Sequence, residues 1–182
     1  MEKAMFFDLQ GTLGGDFLGD IRTFEFYPFA IEALKLAKTH GYLVFIMTNQ
    51  SRIAKGFFNI DVYHDHEERV VKEMQSFDLF VDGFFCCPHD KGECSCKKPK
   101  DGMIQMARKE FDIDIAESYV VGDLGASDMN LSKNVGSKSI LVLTGGGRGS
   151  LEEFKHLWLD VEATIIAENV LEGINKVIRS TK

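Results

Sequence analysis

The 182-residue chain contains no apolar run near the roughly 18 residues of a membrane-spanning helix, so no such span is expected. It also lacks a long Lys/Arg run. Its 28 acidic side chains outnumber 21 basic ones. The resulting formal net charge of −7 makes it a poor candidate for wrapping nucleic acid or binding an anionic membrane. Repeats, low-complexity tracts and Pro/Ser-rich linkers are absent, so residues 1–182 are expected to form one domain. Met1-Glu2-Lys3 leads into one short apolar run ending at Asp8, and no secretory signal is expected. A cytoplasmic location with reduced thiols is the corresponding expectation. The 4 cysteines are not spread as in a disulfide scaffold; all lie between Cys86 and Cys96, as in metal sites. What is present is an ordinary globular balance, 45% hydrophobic and 27% charged, which excludes disorder, collagen and coiled coil. The length suffices for a real core.

Short apolar runs alternate with amphipathic helices along the chain. Ala4-Met5-Phe6-Phe7 is a strand-like run ending at Asp8. From Pro28 to His40 the charges Glu32, Lys35 and Lys38 form one stripe on an apolar helix, with Pro28 suited to its first turn and Gly41 to its stop. Leu43 to Met47 has the length of a strand. A helix is expected from Asp61 to Phe77, with Val70, Met74 and Phe77 on one face. Gly83 to Cys86 reads as a strand, Gly102 to Phe111 as a helix, and Tyr119 to Val121 and Ser139 to Leu143 as strands. Val170, Leu171, Ile174, Val177 and Ile178 mark a helical face near the C-terminus. Alternation of this kind predicts an α/β fold with a mainly parallel sheet, whose site lies at the carboxyl ends of the strands. The strand-exit residues are Asp8, Thr48 with Asn49, the Cys87 loop, and Asp123.

A carboxylate at the end of a buried strand is costly unless something pairs with it. Asp8, followed by Gly11 and Thr12, reads either as a cap of the next turn or as a functional group. Thr48-Asn49-Gln50-Ser51 is a set of small hydrogen-bonding side chains suited to phosphate oxygens. Lys98 lies in Lys97-Lys98-Pro99-Lys100, and Asp123 and Asp128 follow another strand. Asp8 and Asp123, from two strand ends, can share Mg²⁺ with few other protein ligands. A nearby lysine and hydroxyl would neutralise phosphate charge. Cys87-x-His89 and Cys94-x-Cys96 supply three thiolates and an imidazole, a closed tetrahedral set suited to structural Zn²⁺. A disulfide or idle core cysteines are the alternatives; a reducing compartment and the clustering argue against both. Cys86 reads as a buried strand residue.

In this order and spacing, Asp8 to Leu13, Thr48, Lys98, and Asp123 with Asp128 resemble the four motifs of the haloacid dehalogenase superfamily of phosphotransferases. The runs Thr48 to Gly56, Cys87-Pro88-His89 and Cys94 to Pro99 resemble its subgroup containing D-glycero-D-manno-heptose 1,7-bisphosphate and histidinol-phosphate phosphatases. The resemblance implies a Rossmann-like three-layer sandwich. It also implies no large cap domain, and the 15 residues between Thr12 and Pro28 are too few to hold one. It further implies a zinc loop at about 86–98 and a Mg²⁺-dependent phosphoric monoester hydrolase of carbohydrate metabolism. By that resemblance Asp8 is the nucleophile, and Mg²⁺ is held by Asp8, the main-chain carbonyl of Gln10, and Asp123. Thr48 and Lys98 bind the transferring phosphoryl group, and Asp128 orients Lys98 or the metal waters. Asn49, Arg52 and Lys97 are the candidate substrate contacts; a small phosphorylated metabolite is the expected partner, and the protein is expected to be a monomer.

Two residues depart from the family pattern. Where the family has a second Asp two positions after the nucleophile, this chain has Gln10, which has no proton to give or take near neutral pH. Lys97 stands where the heptose enzymes carry Arg and lacks its bidentate fork. Three functions follow as expectations: a sugar-phosphate phosphatase, a histidinol-phosphate phosphatase, or a weakly active phosphate-ligand-binding protein. Gly145 to Ser150 lacks the Gly-Lys-Ser/Thr of a P-loop and reads as a flexible turn, with Arg148 within reach of a substrate. His64 and His66 sit among Asp65, Glu67 and Glu68, a solvated helix start. Phe57 and Phe58 are readable as core or as pocket lining.

Overall fold

The structure, a computed structural model, describes residues 1–90, 92 and 94–180. Six parallel strands form one sheet in the order β3-β2-β1-β4-β5-β6. They are β1 (Lys3–Asp8), β2 (Tyr42–Asn49), β3 (Gly83–Cys87), β4 (Tyr119–Gly122), β5 (Lys138–Val142) and β6 (Ile165–Ala167). The helices are α1 (Ala30–Thr39), α2 (Ser51–Ala54), α3 (Ile60–Ser76), α4 (Gly102–Glu110), α5 (Asn130–Val135), α6 (Gly147–Leu151) and α7 (Val170–Ser180). This is a Rossmann-like arrangement, and strand order reverses between β1 and β4, where α/β sheets leave a crevice.

The apolar run of β1 is continuous because both faces of the sheet are covered. Successive side chains of a strand point to opposite faces. Met5 and Phe7 therefore join a core with Ala33 and Leu34 of α1, Val70 and Met74 of α3, and Ile174 and Val177 of α7. Ala4 and Phe6 join a second core with Met103, Ile104 and Ala107 of α4 and Leu131 of α5. Phe6 pairs in register with Phe45 of β2, and their rings stack at 5.2 Å. Truncating Phe6 to Ala would cost about 3–5 kcal/mol.

Helix ends follow local chemistry. Asn59 caps α3 by accepting from Val62 N at 2.9 Å, so this helix begins one residue earlier than the charge pattern suggests. Gly41 takes a left-handed conformation, φ +80°, just past α1, and lets the chain turn into β2. Pro28 lies outside α1, whose N-cap is Phe29. Phe77 departs from the expected apolar face of α3. It caps the helix, where the backbone leaves the helical path, and is 50% exposed. Strand β6 escapes the periodicity reading because it is three residues long and has only one sheet neighbour. Cys86 lies in β3 but is half-buried rather than buried. Among the described residues no helix is long and apolar enough to cross a membrane.

Candidate active site

Asp8 ends β1, and the chain then folds back through Gln10-Gly11-Thr12. Gly11 N donates to Gly14 O at 2.7 Å and closes the turn. Gly11 has φ +88°, and a Cβ there would collide with the Asp123 carboxylate. The turn thus delivers Thr12 between two carboxylates: its hydroxyl lies 3.2 Å from Asp8 Oδ2 and 3.4 Å from Asp123 Oδ1. Asp123 follows β4. A single turn of π-helix, Gly125–Met129, then swings Asp128 back over Gly122. Leu124 N donates to Asp128 Oδ2 at 3.1 Å.

Lys98 reaches into this cluster from the loop before α4. Its ammonium lies 2.6 Å from Asp8 Oδ1 and 2.7 Å from Asp128 Oδ1, with almost no exposure of the lysine side chain. Asn49, at the end of β2, holds that loop with both ends of its amide: Lys98 N donates to Oδ1 at 3.1 Å and Nδ2 donates to Lys98 O at 3.2 Å. Gln50, 2% exposed, donates through Nε2 to Thr48 Oγ1 at 2.9 Å and to Gln10 Oε1 at 2.6 Å. The side chain of Gln10 is therefore tied to the carboxyl end of β2.

Asp8, Asp123 and Asp128 present ligand atoms within 4.8 Å of one another. Two buried carboxylates and the half-buried Asp8 face one ammonium, which leaves negative charge uncompensated where desolvation is costly. Burial raises the Asp8 carboxyl from 3.8 to about 6, although Lys98 pulls the other way. Burial, then the Asp8 charge, hold Asp123 well above the usual carboxylate range. Burial disfavours the Lys98 ammonium, but Asp128 and Asp8 outweigh it and push its pKa above that of a free lysine. A divalent cation would supply the missing positive charge, and these hard oxygen donors suit Mg²⁺.

Beside Gln10 opens a cavity of about 300 Å³, lined also by Phe17, Leu18, Gln50, Arg52 and Phe57. Arg52 Nη2 donates to Leu18 O at 2.6 Å and its guanidinium sits 5.1 Å over the Phe57 ring, so the rim is held together across two loops. Phe57 lines this cavity, whereas Phe58 packs in the core. Lys97 borders a different cavity, with Pro99, Leu124 and Phe154, and its ammonium lies 3.6 Å from Asp90.

The expected zinc set converges on the far side of Lys98. Cys87 Sγ lies 3.5 Å from Cys94 Sγ and 3.7 Å from His89 Nδ1, and Cys96 Sγ lies 3.4 Å from His89 Nδ1. Those separations match the edges of a tetrahedron with zinc-ligand bonds near 2.0–2.3 Å. All four cysteines are free thiols, which removes the disulfide alternative. Burial raises the Cys87 thiol. Burial also opposes ionisation of Cys94, but the Lys97 and Cys96 N–H groups and the neighbouring thiols bring it down to about 6. Residues 91 and 93 of the expected loop, about 86–98, lie outside the described residues.

A family profile for HAD-hydrolase-like proteins matches residues 95–172. A D-glycero-beta-D-manno-heptose-1,7-bisphosphate 7-phosphatase of Pasteurella multocida is 40% identical over 155 residues, covering 80% of this chain and 84% of that protein. The chain belongs to the haloacid dehalogenase-like phosphatases. A D-glycero-alpha-D-manno-heptose-1,7-bisphosphate 7-phosphatase of Campylobacter jejuni is 34% identical over 143 residues, covering 78% of this chain and 82% of that one. The crystal structure of a D,D-heptose 1,7-bisphosphate phosphatase from B. bronchiseptica, complexed with magnesium and phosphate, superposes with a TM-score of 0.85. Its identity is 24%, with 98% of this chain and 99% of that chain covered. The last comparison concerns the fold alone.

Within this haloacid dehalogenase-like phosphatase, the sequence-derived residues Asp8, Lys98, Asp123 and Asp128 meet at one point, and Gln50 joins Gln10 to Thr48. Gln50 and Thr12 lie within the polar run after β2 and the motif after β1, but their partners become evident only when the strands lie side by side. The Gly145 to Ser150 run is a turn that leads into α6 at Gly147. Arg148 points away, 2.5 Å from Glu168 Oε2, because α6 presents it to solvent. On α3, His64, Asp65 and Glu68 are exposed as expected, while His66 and Glu67 are half-buried.

Proposed function

We propose that this chain is a Mg²⁺-dependent phosphatase of a heptose bisphosphate, acting at the 7-phosphate through an aspartyl-phosphate on Asp8. The observation that carries the reading is the position of Asp8: one oxygen on Lys98, the other near Thr12, at the mouth of the sheet crevice. Bound Mg²⁺ would draw charge from the transferring phosphoryl oxygens, held by Asp8, Asp123 and the main-chain carbonyl of Gln10. Lys98 and Thr48 bind the remaining phosphoryl oxygens. Asp128 keeps Lys98 charged and aimed at them. An Asp8 oxygen attacks phosphorus, a P–O bond forms to the carboxylate, and the bond to the sugar oxygen breaks with its electron pair leaving on that oxygen. Water then attacks the same phosphorus, inorganic phosphate departs and the Asp8 carboxylate is restored.

Gln10 lies where the sugar oxygen leaves, and its amide donates a hydrogen bond without giving up a proton. Among the described residues, the cavity lining contains no carboxyl, imidazole or thiol to replace it. This favours slow turnover, and a phosphate-ligand-binding role is the second reading. Zn²⁺ on Cys87, His89, Cys94 and Cys96 has no open position and serves structure. The test measures phosphate release with Mg²⁺ from heptose 1,7-bisphosphate, in both anomeric forms, and from histidinol phosphate. Release from the heptose at position 7 that vanishes in Asp8→Asn is expected. Faster release from histidinol phosphate would replace the substrate, and tight binding without release would replace the activity.

A further inference from the structure

The Gly-rich run after β5 takes no part in the reaction above, yet its atoms meet both carboxylate loops. Thr144 Oγ1 donates to Gly11 O at 2.7 Å, in the loop that follows Asp8. Gly146 N donates to Asp123 Oδ2 at 2.7 Å. Ser150, 3% exposed, spans the turn after Asp123: its hydroxyl donates to Asp123 O at 2.9 Å and accepts from Gly125 N at 3.1 Å. Trp158 Nε1 donates to Ser150 O at 2.8 Å and fixes that residue from behind. Glycine makes the approach possible. A Cβ on Gly145 would collide with Asp123 Oδ2 and Gly11 Cα, and one on Gly147 with Val142 O.

We propose that the segment 144–150 is a clamp that holds Asp123 ready for its divalent cation, with Ser150 as the positioning residue. The Gly146 N–H occupies Oδ2, so Oδ1 is the oxygen left toward Thr12 and Asp8. The Ser150 hydroxyl fixes the main chain on both sides of that carboxylate. A ligand held from outside in this way is already ordered when the cation arrives, and losing such support typically costs 10–100-fold in metal affinity. The proposal rests on the reading that Asp123 holds the cation. It adds that the Gly-rich run sets how tightly that cation is held.

The experiment is calorimetric titration of Mg²⁺ into the zinc-loaded protein, paired with KM for the sugar phosphate at saturating Mg²⁺. Ser150→Ala is expected to weaken Mg²⁺ binding about tenfold and to leave KM within about twofold. Ser150→Thr, which keeps the hydroxyl, is expected to restore the affinity. Arg148→Ala, on the same short helix but facing Glu168, is expected to bind Mg²⁺ like the parent. Wild-type affinity in a folded Ser150→Ala protein overturns the clamp, as does an equal loss in Arg148→Ala. If Ser150→Ala does not fold, Thr144→Val takes its place, and unchanged Mg²⁺ affinity there overturns the clamp equally. Asp123→Asn separates the two readings: if it keeps the parent's Mg²⁺ affinity, the cation assignment fails rather than the clamp.

Discussion

Two ligand clusters lie at the carboxyl edge of the same sheet, and they differ in what they still need. The carboxylate cluster brings Asp8, Asp123 and Asp128 around one ammonium and is left with unbalanced negative charge. The cysteine cluster offers four ligands with tetrahedral spacing and no further position. The first suits a cation whose remaining positions go to water and phosphate, the second a cation that closes a loop. They are not independent. Gln50 N donates to Cys87 O at 2.8 Å, and Lys98 is two residues beyond Cys96. The closed cluster therefore anchors the two elements that bring Thr48 and Lys98 to the open one.

The largest effect is expected at the nucleophile. Asp8→Asn should abolish phosphate release, by about 10⁴-fold or more, while circular dichroism stays native. Retained activity would take the open cluster out of the chemistry. Next in size is Gln10. A positioned acid or base contributes on the order of 10²–10⁴ in rate. Gln10→Asp should therefore speed turnover of alkyl phosphates by a comparable factor, and formation of phosphoenzyme from aryl phosphates much less, because an aryl oxygen leaves without a proton. Steady-state and burst kinetics measure both. Equal alkyl rates for the two proteins would mean that another group supplies the proton.

The closed cluster should answer to stability rather than chemistry. Elemental analysis is expected to find about one zinc per chain, and Cys96→Ser to lower the melting temperature by about 10 °C or more, since site formation is coupled to folding. The same variant at low temperature should keep its Mg²⁺ affinity. Loss of Mg²⁺ affinity with an unchanged melting temperature would reverse the division of labour between the two clusters.

How much of this was readable in the sequence follows from where each residue lies. Asp8, Thr48, Lys98 and Asp123 were legible because they sit at strand exits or in the loop before a helix, next to apolar runs with clear periodicity. The convergence of Cys87, His89, Cys94 and Cys96 was legible from their spacing alone. Asn49, expected as a substrate contact, lines the cavity beside Gln10, but that its amide also holds the main chain of Lys98 was not legible, because residue type does not name a partner. The pairing of Lys97 with Asp90, at 3.6 Å, was likewise not legible from residue type. Gln50 and Ser150 were illegible as supports because their partners lie 40 and 27 residues away along the chain and become neighbours only through the parallel sheet. The fold class needed only the alternation of patterns; the supporting contacts needed the register.

The smallest effect sharpens the comparison most, because it reads the open cluster's unbalanced charge directly. Burial pushes the Asp8 carboxyl up from 3.8 to about 6, and Asp123 is likewise raised, by burial and then by Asp8. Between those values the folded protein holds protons that the unfolded chain has released. Stability is therefore greatest below about pH 4 as far as these groups are concerned, and it falls as pH rises through about 6. For Asp8 alone the loss is at most about 3 kcal/mol, at 1.36 kcal/mol per unit. The raised pKa of Lys98 acts only in alkali and does not offset this. Mg²⁺ binds the ionised carboxylates and so removes the penalty where it exists. Saturating Mg²⁺ should raise the melting temperature by several degrees at pH 7.5 and by little at pH 5. Asp123→Asn should flatten that difference, while Cys96→Ser should leave it in place. A Mg²⁺ effect of equal size at both pH values would mean that the carboxylates are already ionised in the metal-free fold, and that the open cluster carries no stored charge for the cation to relieve.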